Sequence, residues 1–376
     1  MKHKYNKAFH YLCRMNSEND KSALKVNPGI PQPPDINPDT TKKHCRKKKA
    51  LSTKDYVQGI LSCNISILSQ AITLIESQLH EHRRLSADII NACLPYAGKS
   101  IRVGITGVPG VGKSTFIESF GNYVIKQGHK LAVLAIDPSS ERSKGSILGD
   151  KTRMETLSTN PKAYIRPSPS KGSLGGVAAR TREAMILCEA AGFDCIFIET
   201  VGVGQSETLV HSMVDFFLLL QLAGAGDELQ GIKRGIMEMA DAIVITKADG
   251  TNARKADVAR SQYSSALSLF PMPESGVRPA VLTCSAVHET GIAEVWENIQ
   301  GFIDTAQSGQ YFEHNRTNQQ MFWFYETIRD SLNENFFNNS QIKELLPQLE
   351  KSITDNKMTS ITAANQILDA FFGKER

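Results

Sequence analysis

A mostly parallel β-sheet covered by helices on both faces is the fold class this sequence predicts. Three observations predict it. From residue 101 onward, short β-branched runs alternate with stretches of helical periodicity. A glycine-rich loop lies directly between the first such run and the helix that follows it. The chain is also long enough, at 376 residues with 41% hydrophobic content, to close a large core around such a sheet.

The elements follow in order. Residues 1–50 carry twelve Lys/Arg against four Asp/Glu, and Pro28 to Pro34 breaks any regular element. They read as a basic, flexible extension: a solvated tail, a contact for an anionic protein face, or an organelle address, the last disfavoured by Glu18, Asp20, Asp35 and Asp39. Between Thr53 and Tyr96, apolar residues at three- and four-residue spacing predict a helical region over 51–98. Strands are expected at Ile101–Thr106, Leu131–Ile136, Cys195–Thr200, Phe216–Leu222, Ala242–Thr246 and Ala280–Cys284. Helices are expected at Ser114–Lys126, Gly176–Ala191, Ala253–Leu269 and Ile292–Ala306, which together delimit a domain over 99–307. From Gln307 only helical patterns remain, so 308–376 is expected to be a helical arm. Its Met321-Phe322-Trp323-Phe324-Tyr325 segment is too apolar all round for a freely solvated helix, and suits core or a subunit interface.

Composition excludes several function classes. The formal charge is +4, but the excess sits in the first fifty residues, and the remainder is net acidic; the body offers no basic field for a nucleic-acid backbone. No run approaches the roughly 20 apolar residues of a membrane span, so neither nucleic acid nor a membrane is expected as partner. Seven dispersed cysteines without C-x-x-C spacing argue against a disulfide framework and suit a reducing compartment, the cytoplasm or alternatively the mitochondrial matrix.

The strongest motif is Gly107-Val108-Pro109-Gly110-Val111-Gly112-Lys113-Ser114, followed by Thr115. It fits G-x-x-x-x-G-K-[ST] in the strand–loop–helix context that the motif requires. Glycines let the backbone bend around a polyphosphate, main-chain N–H groups and the helix N-terminus point at it, Lys113 reaches the terminal phosphates and Ser114 can hold Mg²⁺. Carboxylates for metal and hydrolysis are expected at strand ends, and Asp137 and Glu199 stand there, with Gly202 bringing an N–H to the γ-phosphate. The candidate metal donors are Ser114, Asp137, Asp150 and Glu199. Base choice is read in Thr246-Lys247-Ala248-Asp249, where Asp249 can accept from guanine N1–H and its amino group while the stem of Lys247 covers the ring. Thr246 replaces the usual Asn of N-K-x-D. Ser285-Ala286-Val287 follows the last strand and matches the S-A element whose backbone N–H reaches the guanine oxygen. In order and each after a strand, these elements favour GTP over ATP.

These residues resemble the methylmalonyl-CoA mutase-associated GTPases, the MeaB or ArgK-like family called MMAA in animals, from about Asp55 to Phe372. The strings that carry the resemblance include Asp137-Pro138-Ser139-Ser140, Gly149-Asp150-Lys151-Thr152-Arg153-Met154, Tyr164-Ile165-Arg166-Pro167-Ser168-Pro169, Glu199 through Glu207, and Gly226 through Lys233. The resemblance implies a GTPase chaperone that gates adenosylcobalamin loading and protects an adenosylcobalamin-dependent methylmalonyl-CoA mutase or related acyl-CoA mutase. It also implies cobalamin adenosyltransferase as a further partner, a homodimer joined through the C-terminal helices, and nucleotide-responsive loops at 137–150, 199–207 and 226–233. The last loop would carry Lys233 toward the nucleotide when a partner docks; by itself Lys233 also reads as a solvated charge.

A Gln after Gly202 would orient the attacking water, but Val203 stands there, so slow intrinsic turnover raised by the mutase is expected. Three other readings compete with this one. A nickel-insertion GTPase needs clustered His or Cys, and His80 and His82 do not share a helix face. A protein kinase lacks H-R-D and D-F-G elements. A nucleotide-locked adaptor would make hydrolysis irrelevant.

Overall fold

The computed structural model describes residues 51–77, 79–136, 154–167, 174–200, 206–224 and 234–373. Residues 1–50 and the site candidates Asp137, Asp150, Gly202, Val203 and Lys233 lie outside the described residues.

Seven parallel strands form one sheet: β1 Ile101–Gly107, β2 Leu131–Ile136, β3 Ala163–Arg166, β4 Cys195–Thr200, β5 Phe216–Leu222, β6 Ala242–Thr246 and β7 Ala280–Thr283, in the order β3-β2-β4-β1-β5-β6-β7. The strand order reverses at β1, which pairs with β4 on one side (Ile105 opposite Glu199) and β5 on the other (Gly107 opposite Leu220). Ligands in open α/β sheets bind at the carboxyl ends of strands at such a switch point. Both faces are buried, and residues alternate between two cores. Ile196, Ile198, Phe217, Leu219, Ile243 and Ile245 face one; Cys195, Phe197, Phe216, Leu218, Ala242 and Val244 face the other. Gly104 is glycine for space, because a Cβ there would lie 2.8 Å from Val210 and 2.9 Å from Phe217.

An aspartate precedes each of three strands and caps the start of a neighbouring chain segment. Asp194 accepts from the Lys130 N–H, Asp215 from Arg102 N–H and Asp241 from Phe217 N–H, at 2.8, 2.9 and 2.8 Å. These groups would otherwise be unpaired where the strands begin.

Helices α1 Thr53–Leu61, α2 Ile65–Glu76 and α3 His80–Cys93 form the region before the sheet, with Ser52 and Asp55 making a capping box and Asn64 capping α2. Helix α4 Lys113–Lys126 follows the glycine loop, and α5 Glu155–Thr159 leads to β3. Helices α6 Leu174–Ala190, α7 Ser206–His211, α8 Arg234–Met239, α9 Ala253–Ser268 and α10 Ile292–Ser308 complete the layers. The arm is α11 Tyr311–Asn338, α12 Ser340–Thr354 and α13 Ser360–Phe372; the last two close a small core of Ile342, Leu349, Ala363 and Ile367.

Helix α11 is anchored by polar groups rather than an apolar stripe. Its buried residues are Phe312, Arg316, Gln319 and Trp323, one face at helical spacing. Arg316 donates to both oxygens of Asp215 and to the carbonyls of Gly98 and Ser100. Gln319 donates to Val214 O and the Trp323 indole to Ser212 O. The apolar residues Met321, Phe322, Phe324 and Tyr325 stay exposed on the chain. Among the described residues, no helix is long and apolar enough to cross a membrane.

Candidate functional site

The glycine loop lies at the carboxyl end of β1 and the start of α4. The buried Val111 side chain pins it into the core, and Gly107 must lack a side chain because a Cβ would sit 2.6 Å from the Leu220 carbonyl. Gly112 has φ +94°, a left-handed geometry that glycine adopts without strain, and its carbonyl accepts the Phe116 N–H at 2.9 Å to begin the helix. The first N–H groups of α4, at Lys113, Ser114 and Thr115, thus point out of the helix start with no intrahelical acceptor.

Lys113 folds back over the loop, donating to Gly107 O at 2.8 Å. Burial pulls its pKa below the ordinary lysine value, opposed by the negative charges of Glu199 and Glu207. Both carboxylates are buried. Glu207, in α7, is not among the site residues that the sequence singles out; its signal there is its place at the end of the 199–207 string that the resemblance makes nucleotide-responsive. Next to Glu199, Thr200 shares a 2.8 Å hydroxyl contact with Thr106, fixing the ends of β4 and β1 together. The half-buried Ser114 hydroxyl opens α4. A hydroxyl and carboxylates are the hard oxygen donors that suit Mg²⁺, and of the four candidate donors Ser114 and Glu199 are described.

The loop is tied to the end of β6. Thr246 Oγ donates to Val111 O at 2.8 Å and approaches Gln221 O at 3.2 Å. Lys247, at φ +55°, donates from Nζ to Gly110 O at 2.9 Å, which lays its stem along the loop. Asn252 in turn donates to the Lys247 carbonyl at 2.7 Å. Asp249 accepts from Ser285 Oγ at 2.5 Å through Oδ2. Its Oδ1 has no partner among the described residues. Ser285 is fully buried, and its N–H is taken by Thr290 O at 2.9 Å, whereas the N–H groups of Ala286 and Val287 have no backbone partner among the described residues. Gly291 permits that tight return, since a Cβ would lie 2.1 Å from Thr283 O. Val287 is exposed at the rim.

The structure therefore brings Gly107 to Thr115, Glu199, Lys247, Asp249 and Ser285 to the carboxyl edge of the sheet. Asp137, Asp150, Gly202 and Lys233 lie outside the described residues. The arrangement can hold a polyphosphate on N–H groups and an ammonium, with a carboxylate placed to test a purine edge.

The family model described as Methylmalonyl Co-A mutase-associated GTPase MeaB matches residues 68–341. A protein of Mycobacterium tuberculosis named a probable GTPase is 48% identical over 302 residues, covering 80% of this chain and 90% of that protein. A Mus musculus protein named methylmalonic aciduria type A homolog, mitochondrial, is 40% identical over 378 residues, covering 91% of each. A solved structure titled LAO/AO transport system kinase is similar with a TM-score of 0.69 and 37% identity, covering 85% of this chain and 97% of that one.

Proposed function

The chain belongs to the MeaB family of methylmalonyl-CoA mutase-associated GTPases, and from that premise we propose that it is a GTP-hydrolysing chaperone. It gates the loading of adenosylcobalamin into methylmalonyl-CoA mutase, or a related acyl-CoA mutase, and protects that enzyme from inactivation. Cobalamin adenosyltransferase is a further partner in this reading. The observation that carries the nucleotide chemistry is the tie between loop and base reader: Thr246 and Lys247 bond to Val111 and Gly110, which joins the phosphate cradle to the segment that bears Asp249.

The loop N–H groups and the start of α4 bind the β- and γ-phosphates, and Lys113 exchanges its Gly107 carbonyl for phosphate oxygen. Asp249 accepts from guanine N1–H and the amino group, held in place by Ser285, and adenine offers neither donor. Mg²⁺, when bound, would neutralise charge developing on the phosphates; Ser114 and Glu199 would hold it together with Asp137 and Asp150. Because Val203 stands where a water-orienting Gln would be, turnover is slow until the mutase docks and brings Lys233 to the nucleotide. We assign hydrolysis to residues 99–307, an accessory helical role to 51–98 and homodimerisation to 308–376, where the exposed Met321, Phe322, Phe324 and Tyr325 give the apolar face that a second copy would cover. The compartment is the cytoplasm or, alternatively, the mitochondrial matrix.

Steady-state GTP hydrolysis with and without methylmalonyl-CoA mutase tests this. A low basal rate stimulated by the mutase is expected; a high rate indifferent to it rejects the chaperone reading. Capture by the chain loaded with a non-hydrolysable GTP analogue should retain a cobalamin enzyme.

A further inference from the structure

At the amino end of β1, away from the glycine loop, lies a cavity of about 290 Å³ walled by α6, the Leu94–Tyr96 turn and α11. Three arginines line it: Arg102, Arg182 and Arg316. Two are matched. Arg102 Nη2 lies 2.8 Å from Glu189 Oε1, and that carboxylate also accepts from Ser100 Oγ and Gly98 N–H. Arg316 is saturated by Asp215 and two carbonyls.

Arg182 is different. It is half-buried and has no hydrogen bond or ion pair among the described residues. Burial pulls its pKa below the ordinary arginine value, and the Arg102 charge adds to the effect. Three acids stand near: Glu189 is taken up by Arg102, the charge of Glu183 partly opposes the shift, and neither Glu183 nor Glu313 has a hydrogen bond or ion pair to Arg182 among the described residues. Burial pushes Glu183 up to about 7, so it is a partial countercharge at neutral pH. Glu313, on the cavity wall, acts on Arg316. With Arg102 already matched by Glu189, the charge left without a hydrogen-bonding partner in this partly desolvated wall is that of Arg182, and an anion would satisfy it. A guanidinium fork also matches the paired oxygens of a carboxylate or phosphate.

We propose that this cavity binds a small free oxyanion, a carboxylate or phosphate, gripped by Arg182 between α6 and α11. Its volume falls just below the range of about 300–1,000 Å³ for drug-sized ligands, which limits the occupant to a compact molecule. The exposed Thr317 and Gln320 of α11 add neutral hydrogen-bonding groups at the mouth. The assignment stands apart from the nucleotide chemistry, since none of these residues belongs to the glycine loop.

The test is calorimetric titration of the full chain, loaded with GDP and in low-salt buffer, with inorganic phosphate and separately with succinate. Saturable one-site binding of either anion is expected, phosphate alone marking a phosphoryl ligand and succinate alone a carboxylate. Arg182→Gln should weaken it by roughly tenfold or more, and Arg182→Lys, which keeps the charge but not the fork, by less. Gln320→Glu, on the exposed wall, should weaken it too by adding a competing carboxylate, and it keeps the test alive should Arg182→Gln fail to fold. Failure of both anions to bind, or equal binding by the wild type and the Arg182→Gln and Gln320→Glu variants, would overturn the proposal.

Discussion

The Thr246 hydroxyl stands 2.8 Å from the Val111 carbonyl and 3.2 Å from that of Gln221, so one side chain joins β6, β5 and the glycine loop. An Asn usually occupies this place, and a single hydroxyl serves here. Thr246→Val keeps the shape, removes the donor and leaves the Val111 carbonyl without its bond. Stability should fall by about 1–2 kcal/mol, read by urea denaturation, and GTP affinity should weaken with it. An unchanged affinity would show that the loop holds its form without this tie.

Asp249 offers an acceptor pair to the purine, with Oδ2 already steadied by Ser285. Asp249→Asn turns one acceptor into a donor. It should weaken GTP by about 2 kcal/mol or more and improve binding of xanthosine triphosphate, whose base carries a carbonyl where guanine carries an amine. Fluorescence titration with both nucleotides checks the exchange; a loss of both affinities together would mean damage to the fold instead.

The anchoring of α11 predicts a large stability effect far from the nucleotide. Arg316→Met removes four hydrogen bonds and strands the buried Asp215 carboxylate, which should cost about 3–5 kcal/mol. Adding Asp215→Asn removes the uncompensated charge, so the double variant should recover part of the loss in denaturant unfolding.

What the sequence reveals here follows from what each element needs. The glycine loop is legible because a backbone cradle demands glycines, and Lys113 and Ser114, at fixed places. Five of the strands announce themselves because burial makes them apolar, and the half-buried edge strand β7 because its Ala280–Thr283 run is uncharged and follows the base-reading segment. β3, Ala163–Arg166 at the opposite edge, is as short as β7 but ends in Arg166, and lacks the continuous apolar run that marks a strand. Helix α11 hides its anchoring because Arg316, Gln319 and Trp323 bury polar groups, while the residues that look like core, Phe322 and Phe324, face outward. The Ser285–Asp249 bond joins two elements across 36 positions, a contact that spacing alone does not disclose.

Asp241 gives the molecule a pH dependence. Burial pushes its carboxyl from 3.8 up to about 7, with the Asp215 charge adding to the rise and the Phe217 N–H opposing it. The folded state therefore keeps a proton that the unfolded chain releases. This contribution to stability is complete below about 4 and is lost as pH rises through about 7. Asp241→Asn retains an acceptor for Phe217 N–H without the charge, so its unfolding free energy should decline less steeply between pH 5 and 8 than that of the wild type. Parallel profiles would remove Asp241 from the explanation.

The most direct measurement is calorimetric titration of the full chain with GTP and with ATP in the presence of Mg²⁺. GTP should bind at one site per chain, ATP at least about a hundredfold more weakly, and Lys113→Ala should abolish GTP binding while leaving the circular dichroism spectrum unchanged. Equal affinity for the two nucleotides, or no binding of either, would contradict the assignment of Lys113 and Asp249 to one guanine-nucleotide site.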